Sequence, residues 1–571
     1  MHILGISCFY HDAAAALIHN GKLVAAVEEE RLSRQKHDSD FPMQAIEFCL
    51  KEGGISADEL DYVVFYEKPF LKFDRALFTA IHTVPFSWKM FRDSLLTQLG
   101  ENLWVKGLLK DRLSLKDPNK ILFSEHHLSH AASAFYCSPY DEAAVLTVDA
   151  VGEWATATMG IGQGNQLNIT HQLQFPHSVG LLYSVFTSFL GFQVNDGEYK
   201  VMGMAAYGKP NFLEDIHRVA SVGEDGSLHL NMKYFSFHQS PYRTFNHRFE
   251  AIFGRPRTRE ESETIDQHYA DIAASIQRYT EEVLVKMTRH LHKTTGLPNL
   301  CMAGGVAMNS MANFRIIRES GFEQLYIQPA ATDAGGSLGA ALWAYHMVMN
   351  QPRNFTMEHA YCGPQYTDAD IVSDLKYAGA SYQEMRNQDE LITRVVDTLA
   401  SGRVVGWYQS KSEWGPRALG NRSILADPRR EEMKDVVNTK IKFREPFRPF
   451  APSVLSDRAQ EYFDLPKSNG LYPARFMLYV VPVADQKREA IPAVTHVDGT
   501  ARVQMVYPDY NPSYHKLIDS FGQSTGVPVV LNTSFNLRGE PIVNRPADAL
   551  KTFTNSGIDL LVMNSFICES V

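Results

Sequence analysis

Between Glu413 and Arg448 the chain gathers Arg417, Arg422, Lys440, Lys442, Arg444 and Arg448 into one short stretch. The formal net charge of the whole chain is −10, so this positive charge stands out against an acidic background. Gly415-Pro416 and Gly420-Asn421-Arg422-Ser423 punctuate the stretch, which lets the backbone turn tightly and present several N–H groups together. Guanidinium forks beside exposed N–H groups suit a phosphate dianion or an acyl phosphate. A solvated basic run would be Lys-rich and would lack these turn residues.

A second constellation is Glu125-His126-His127-Leu128-Ser129-His130. Residues four apart on a helix share a face, so His126 and His130 can grip one ion while His127 points elsewhere. Two carboxylates join them: Asp149 after an apolar strand, and Asp333 at a glycine-rich junction. Two imidazoles with two carboxylates suit iron(II), manganese or zinc, and the donor set does not choose among these.

The elements that must position these groups are partly legible. Ile3–Ser7, Ala15–Ile18 and Leu23–Val27 read as strands, with His11-Asp12 in the first loop and Asn20-Gly21 as a hairpin turn. Val145–Val148, Ala155–Ile161 and Leu167–Thr170 repeat the pattern about 140 residues later, with Asp149 and Gly152 in the matching loop. Such a duplication predicts a two-lobed domain with a cleft. A helix is expected over 262–295, stopped by Gly296. Strands at Asn299–Met302 and Leu325–Gln328 each run into a glycine pair, Gly304-Gly305 and Gly335-Gly336, a pattern that bares backbone to anions and nucleotides. Further strands are expected at Val404–Tyr408, Phe476–Val481 and Val529–Leu531, beyond a boundary at 352–367.

Size and composition bound the rest. At 571 residues the chain has room for two to four domain-sized units. The acidic balance and the lack of a basic stripe argue against a nucleic-acid partner. No run of 18 apolar residues predicts a spanning helix, so no membrane partner is expected. The chain opens directly as a strand without a basic, then apolar, leader, and its six scattered cysteines form no Cys-x-x-Cys pair. Both features suit a reducing, cytoplasmic setting.

Longer motifs carry a resemblance. They include HDAAAAL, EEERLSRQKH, EHHLSHAASAF, VDAVGE, GEYKVMGMAAYG, AGGVAMN, DAGGSLGAA, EWGPRALGNRSILADPR, KFREPFRPFAPSV and LNTSFNLRGEPIV. On these the chain resembles, over nearly its whole length, the O-carbamoyltransferases of the nodulation and antibiotic-tailoring family. The resemblance implies an α/β (α+β) protein. Residues 1–355 would be an actin/sugar-kinase-like, duplicated two-lobed domain similar to the threonylcarbamoyl-adenosine tRNA-modifying protein, with an aromatic-rich insertion at about 70–117. Residues 365–571 would be a twisted-sheet, YrdC-like domain.

The resemblance also implies roles. His126, His130, Asp149 and Asp333 would bind the divalent metal, with iron(II) the first choice. His11, beside Asp12, would be the catalytic base, and Lys36 would contact nucleotide. Gly304, Gly305, Gly335 and Gly336 would bind adenylate. Arg417 and Arg422 would act on the phosphates, with Lys442, Arg448, Arg502, Asn532 and Ser534 as further substrate contacts. ATP, with Mg²⁺, and carbamoyl phosphate would be co-substrates. The acceptor would be a hydroxyl of a small molecule, served by a monomer or homodimer.

Three rival readings fit the sequence less well. A tRNA threonylcarbamoyladenosine-type enzyme needs a basic docking face, which the charge balance does not offer. A non-catalytic ATP-binding regulator needs no acyl-phosphate arginines. A sugar kinase leaves the paired histidines unexplained.

Overall fold

Strand β1 (His2–Ser7) begins the chain in a computed structural model that describes residues 1–83, 87, 89, 92, 104–240, 242–259, 261, 265–445, 447–467 and 471–570. β1 pairs antiparallel with β2 (Ala14–His19), which pairs antiparallel with β3 (Lys22–Glu28) across the Asn20-Gly21 turn. β4 (Tyr62–Phe65) adds parallel to β1, and β5 (Ile121–Phe123) parallel to β4. The sheet order is β3-β2-β1-β4-β5. Its strands are apolar and almost wholly buried, as strands covered on both faces must be.

The same construction recurs. β6 (Glu142–Val148), β7 (Ala155–Gln163) and β8 (Gln166–Gln174) form an antiparallel meander. After a small hairpin of β9 (Ala220–Val222) and β10 (Leu228–Leu230), β11 (Asn299–Ala303) adds parallel to β6, and β12 (Gln324–Tyr326) parallel to β11. The order β12-β11-β6-β7-β8 is the first sheet again, strand for strand and sense for sense. This is the duplicated, actin/sugar-kinase-like α/β architecture expected from the sequence. The 29-residue helix Gln267–Thr295 ends at Gly296 (φ 68°), but it starts later than expected because Asp266 caps it through the His268 N–H. β12 also stops short of Gln328, whose side-chain amide folds back onto Ala330.

Two compact units result. The first holds Met1–Glu29 and Ser39–Met357, and the second holds Glu30–Asp38 and Glu358–Val571. A nine-residue segment from the early chain is therefore built into the later unit, which no local sequence pattern indicated.

The second unit is built on one eight-stranded mixed sheet. Its strands are β13 (Gln383–Glu384), β14 (Val405–Tyr408), β15 (Arg422–Ala426), β16 (Ala451–Leu455), β19 (Gln504–Val506), β20 (Val529–Ser534), β21 (Leu560–Met563) and β22 (Phe566–Glu569), in the order β13-β22-β21-β14-β15-β20-β16-β19. β17 (Val480–Pro482) and β18 (Thr500–Arg502) form a separate pair. Helices Gln388–Ala400 and Pro512–Thr525 bury Leu391, Val395, Leu399, Leu517 and Phe521 in one core with Trp407 and Val530 of the sheet. The strand expected at Phe476–Val481 is mostly a turn. The Leu478 N–H bonds the Pro473 carbonyl and Met477 is left-handed (φ 57°), so only its end joins a ladder.

Of the 70–117 insertion, helices Pro69–Thr83 and Val105–Arg112 are described, while Phe86, Trp88 and Phe91 lie outside the described residues. Among the described residues no helix is long and apolar enough to cross a membrane. All six cysteines are buried free thiols.

Candidate functional site

The His126–Phe135 helix carries both imidazoles on one face, as the four-residue spacing requires. Its N-terminus is capped from outside the helix. The buried Glu153 carboxylate accepts the His126 N–H at 3.0 Å and the Lys68 N–H at 2.8 Å. The Asp333–Trp343 helix crosses it at backbone distance, because Gly339 faces Ser129 where a Cβ would overlap the Ser129 carbonyl. This crossing is why that helix is so rich in Gly and Ala. It places Asp333, at the start of its first turn, beside the histidines.

Four donor atoms converge there. Asp149 Oδ2 lies 3.1 Å from His126 Nε2 and 3.2 Å from His130 Nε2, and the two Nε2 atoms are 3.1 Å apart. Asp333 Oδ1 lies 3.5 and 3.4 Å from the same two nitrogens. All four residues are buried, and one donor atom from each fits within 4.8 Å of the others. Donors about 2.1 Å from a common ion stand about 3.0 Å apart at right angles and about 3.4 Å apart in a tetrahedron. The observed spacings are those distances. Both Asp333 oxygens are buried without a hydrogen-bond donor, and so is Nδ1 of each histidine. A cation is the partner that the buried Asp333 carboxylate and the Nε2 lone pairs need.

The next layer is also acidic. Glu67 Oε2 lies 3.9 Å from His126 Nδ1 and accepts from Lys72 Nζ at 3.1 Å. His127 is turned away, as expected. Its Nδ1 meets Thr147 Oγ1 at 2.7 Å, and burial, then His126 and His130, pushes its pKa down to about 3.

His11 sits in the β1–β2 loop, the counterpart of the β6–β7 loop that holds Asp149. Its Nδ1 is 3.2 Å from Asp12 Oδ2, and its Nε2 is 4.0 Å from Asp333 Oδ2. Burial alone would lower its pKa, but Asp333 and then Asp12 outweigh this and raise it to about 9.

The four glycines divide. The Gly305 N–H donates to Asp149 Oδ1 at 3.2 Å, and Gly304 (φ 94°) is tied to the Ala331 carbonyl at 2.8 Å, so this pair belongs to the site. Gly335 and Gly336 do not present open backbone. A Cβ at Gly335 would overlap the Gln328 side chain and the Ala330 carbonyl, and one at Gly336 would press on the Tyr66 ring. Glycine is thus required at both positions by close packing.

In the second unit the expected cations gather. Lys442 Nζ donates to the Ser534 carbonyl at 2.5 Å, to Ser534 Oγ at 3.1 Å and to the Asn536 carbonyl and Oδ1 at 3.0 and 2.6 Å. These acceptors are neutral. Burial, then Arg444, Arg448 and Lys36, holds its pKa well below the lysine range. Burial, then Arg417 and Arg448, does the same to Arg502. Lys36, Arg417, Lys442, Arg444, Arg448 and Arg502 therefore share one neighbourhood. Glu445 meets Arg448 at 3.6 Å and Arg538 at 3.7 Å. Cations held this close against their own repulsion are complementary to a polyanion.

Two expected contacts do something else. Arg422 is fully buried, and its guanidinium donates to the carbonyls of Gln409, Asn421, Ser410 and Pro364 while lying 3.7 Å over the Tyr408 ring. Both of its terminal nitrogens are spent on backbone carbonyls, so it braces the loop. Asn532 Nδ2 donates to the Ala418 carbonyl, Ser453 Oγ and Gln504 Oε1 at 3.2, 3.1 and 2.9 Å, also from below the loop.

Sequence reasoning assigned no role to Glu413. It is buried, and its Oε1 accepts the N–H groups of Leu419, Asn421 and Arg422 at 2.8, 2.8 and 3.1 Å. It thus occupies the backbone nest that looked available for an anion. Its place at the head of the glycine-proline stretch was the one available signal.

The models for the carbamoyltransferase N-terminus and C-terminus match residues 2–342 and 396–570. An uncharacterized protein of Synechocystis is 46% identical over 99% of this chain and 96% of its own. Nodulation protein NolNO of Sinorhizobium fredii is 37% identical over 98% of this chain and 79% of its own. Nodulation protein U of Rhizobium tropici is 28% identical over 94% and 91%.

Proposed function

The chain belongs to the carbamoyltransferase family, and from that premise we propose an ATP-dependent O-carbamoyltransferase that works in two half-reactions, one in each unit. The observation that carries the reading is the mutual crowding of Arg417, Arg448 and Arg502 beside Lys442 and Lys36. That concentration of positive charge matches the phosphates of ATP and carbamoyl phosphate (with Mg²⁺ accompanying ATP). It lowers the cost of bringing one anion against another.

Here a water molecule hydrolyses carbamoyl phosphate, breaking the bond between the carbamoyl group and phosphate, to give carbamate and inorganic phosphate. A carbamate oxygen attacks the α-phosphorus of ATP, the bond to the β,γ-diphosphate breaks, and carbamoyl-adenylate and pyrophosphate leave. Adenylate is a good leaving group, so the carbamoyl carbon is activated for transfer.

Transfer belongs to the first unit. His126, His130, Asp149 and Asp333 would hold a divalent metal, iron(II) before zinc or manganese. When bound, it supplies Lewis-acid polarisation of the adenylate phosphate. The Gly305 N–H, fixed by Asp149, borders the same place. Asp12 accepts the Nδ1 proton of His11, which leaves Nε2 to take the proton from the acceptor hydroxyl. Neutralising Asp149 and Asp333 removes the field that raises His11, so its imidazole returns toward the range of a base at neutral pH. The hydroxyl oxygen then bonds to the carbamoyl carbon as the bond to adenylate breaks. The acceptor we propose is a small molecule, a natural product or sugar.

The first half-reaction is tested by pyrophosphate release from ATP without acceptor. Release is expected only when carbamoyl phosphate is present; hydrolysis to ADP instead would overturn the mechanism. His11→Asn separates the halves. It should stop transfer and leave pyrophosphate release intact. Loss of both steps together would mean that the two-site assignment is wrong.

A further inference from the structure

The mechanism above gives no role to Arg31, a buried cation in the second unit. It lies on the short helix Glu29–Ser33 and is 2% exposed. Its Nη2 donates to the Gly415 carbonyl at 2.6 Å, a contact between residues 384 positions apart. Gly415 has a φ of 100°, which a residue without Cβ adopts at little cost, so its many allowed conformations leave the turn to be fixed by its contacts. Pro416 and Arg417 follow directly. Holding the Gly415 carbonyl fixes the Gly415–Pro416 peptide, and the proline ring fixes φ at the next residue, immediately before Arg417.

The segment carrying Arg31 is itself anchored. Arg34 donates from Nη1 to the Ile542 carbonyl at 2.6 Å and from Nη2 to the Pro541 carbonyl at 2.9 Å, and its Nε is 3.6 Å from Asp548. Lys36, two residues on, reaches the neighbourhood of Lys442. The far side of the loop is braced independently. Tyr361 Oη and Gln504 Nε2 hold the Leu419 carbonyl at 2.8 and 2.7 Å, and Glu413 holds the N–H groups beyond it. At the Gly415 carbonyl, Arg31 supplies a brace.

We propose that Arg31 is a positioning residue for the anion site. It sets the Gly415-Pro416-Arg417 turn so that Arg417 meets the phosphates, and the half-reaction of the second unit depends on a segment encoded near the N-terminus. This rests on the adenylation reading above. A guanidinium misaimed by about 1 Å is expected to cost on the order of 100-fold in rate.

The test uses full-length Arg31→Ala and Arg31→Lys. Arg31→Ala should lower kcat for carbamoyl-phosphate-dependent pyrophosphate release about 100-fold. Added guanidinium should restore part of it, and Arg31→Lys, which keeps a donor for the carbonyl, should lose less. Divalent-metal affinity should match the wild type, a pattern that general damage to the fold would not give. If Arg31→Ala is too unstable to assay, Arg31→Met, which fills similar space and cannot donate to Gly415, takes its place with the same expected loss. Wild-type rates in Arg31→Ala or Arg31→Met, or a loss in Arg31→Ala that guanidinium does not relieve, would overturn the assignment. If the wild type releases no pyrophosphate, the adenylation reading fails instead. Arg31 is then judged by calorimetric ATP binding, which Arg31→Ala must weaken and, by leaving unchanged, would refute.

Discussion

Asp149→Ala is expected to abolish tight divalent-metal binding and, with it, carbamoyl transfer. Asp149 is the hub of the donor cluster. Oδ2 stands within 3.2 Å of both imidazole nitrogens, and Oδ1 accepts the Gly305 N–H. Alanine removes one of four ligands, half of the anionic charge, and the tether of the Gly304-Gly305 turn. Changing outer partners of a metal site costs about 10–100-fold in affinity, and an inner ligand should cost more. Metal content after purification, and competition titration with iron(II), manganese and zinc, give the readout. Asp149→Asn keeps an acceptor for Gly305 but loses the charge, so it separates tether from ligand. Pyrophosphate release should persist in both variants. Retention of wild-type metal affinity by Asp149→Ala would remove these four residues as the metal site.

Arg502→Met is expected to eliminate adenylation while making the protein harder to melt. The two effects share one cause. In the folded protein Arg502 is pressed by Arg417 and Arg448 and by burial, all of which disfavour its charge. Folding this cation into place therefore costs free energy, and a flexible apolar side chain of similar length relieves it. Binding phosphate is what the strained cluster gains in return. Loss of one preorganised donor typically costs about 10²–10³-fold in rate. Arg417→Met should act in the same direction. Pyrophosphate release and a thermal melt measure both effects on the same samples. If Arg502→Met lowered stability and kept activity, the arginine would be a structural ion-pair member and the anion site would lie elsewhere.

Much of this was legible beforehand because the governing interactions are local. The four-residue spacing of His126 and His130 places them on one helical face whatever the rest of the chain does. The strand–loop–hairpin pattern recurs at Ile3 and Val145 because each lobe must bury its own alternating and apolar strands. That repeat also marked the loops holding His11-Asp12 and Asp149 as counterparts. Gly296 ended its helix as its left-handed conformation predicts.

The readings that changed concern what a side chain meets, not what it is. An arginine in a glycine-proline loop can serve phosphate or carbonyls with the same N–H groups. Arg417 and Arg422 cannot be told apart until the carbonyls of Gln409 and Ser410 are seen around Arg422. The Gly335-Gly336 pair has the composition of a nucleotide loop, yet the space beside it is filled by Gln328, Ala330 and Tyr66.

The sequence by itself determined the kinds of chemistry available: paired imidazoles at helical spacing, carboxylates at two strand ends, and guanidiniums among turn residues. Propensity, periodicity and charge act over a few residues, and they suffice for that. Only the tertiary structure decided which of these groups share a site. It brought Asp149 and Asp333 to one pair of histidines and built residues 30–38 into the second unit. It also aimed Arg31 at a carbonyl 384 positions away. Those choices are made by packing and by the need to pair buried polar groups, which act across any separation along the chain.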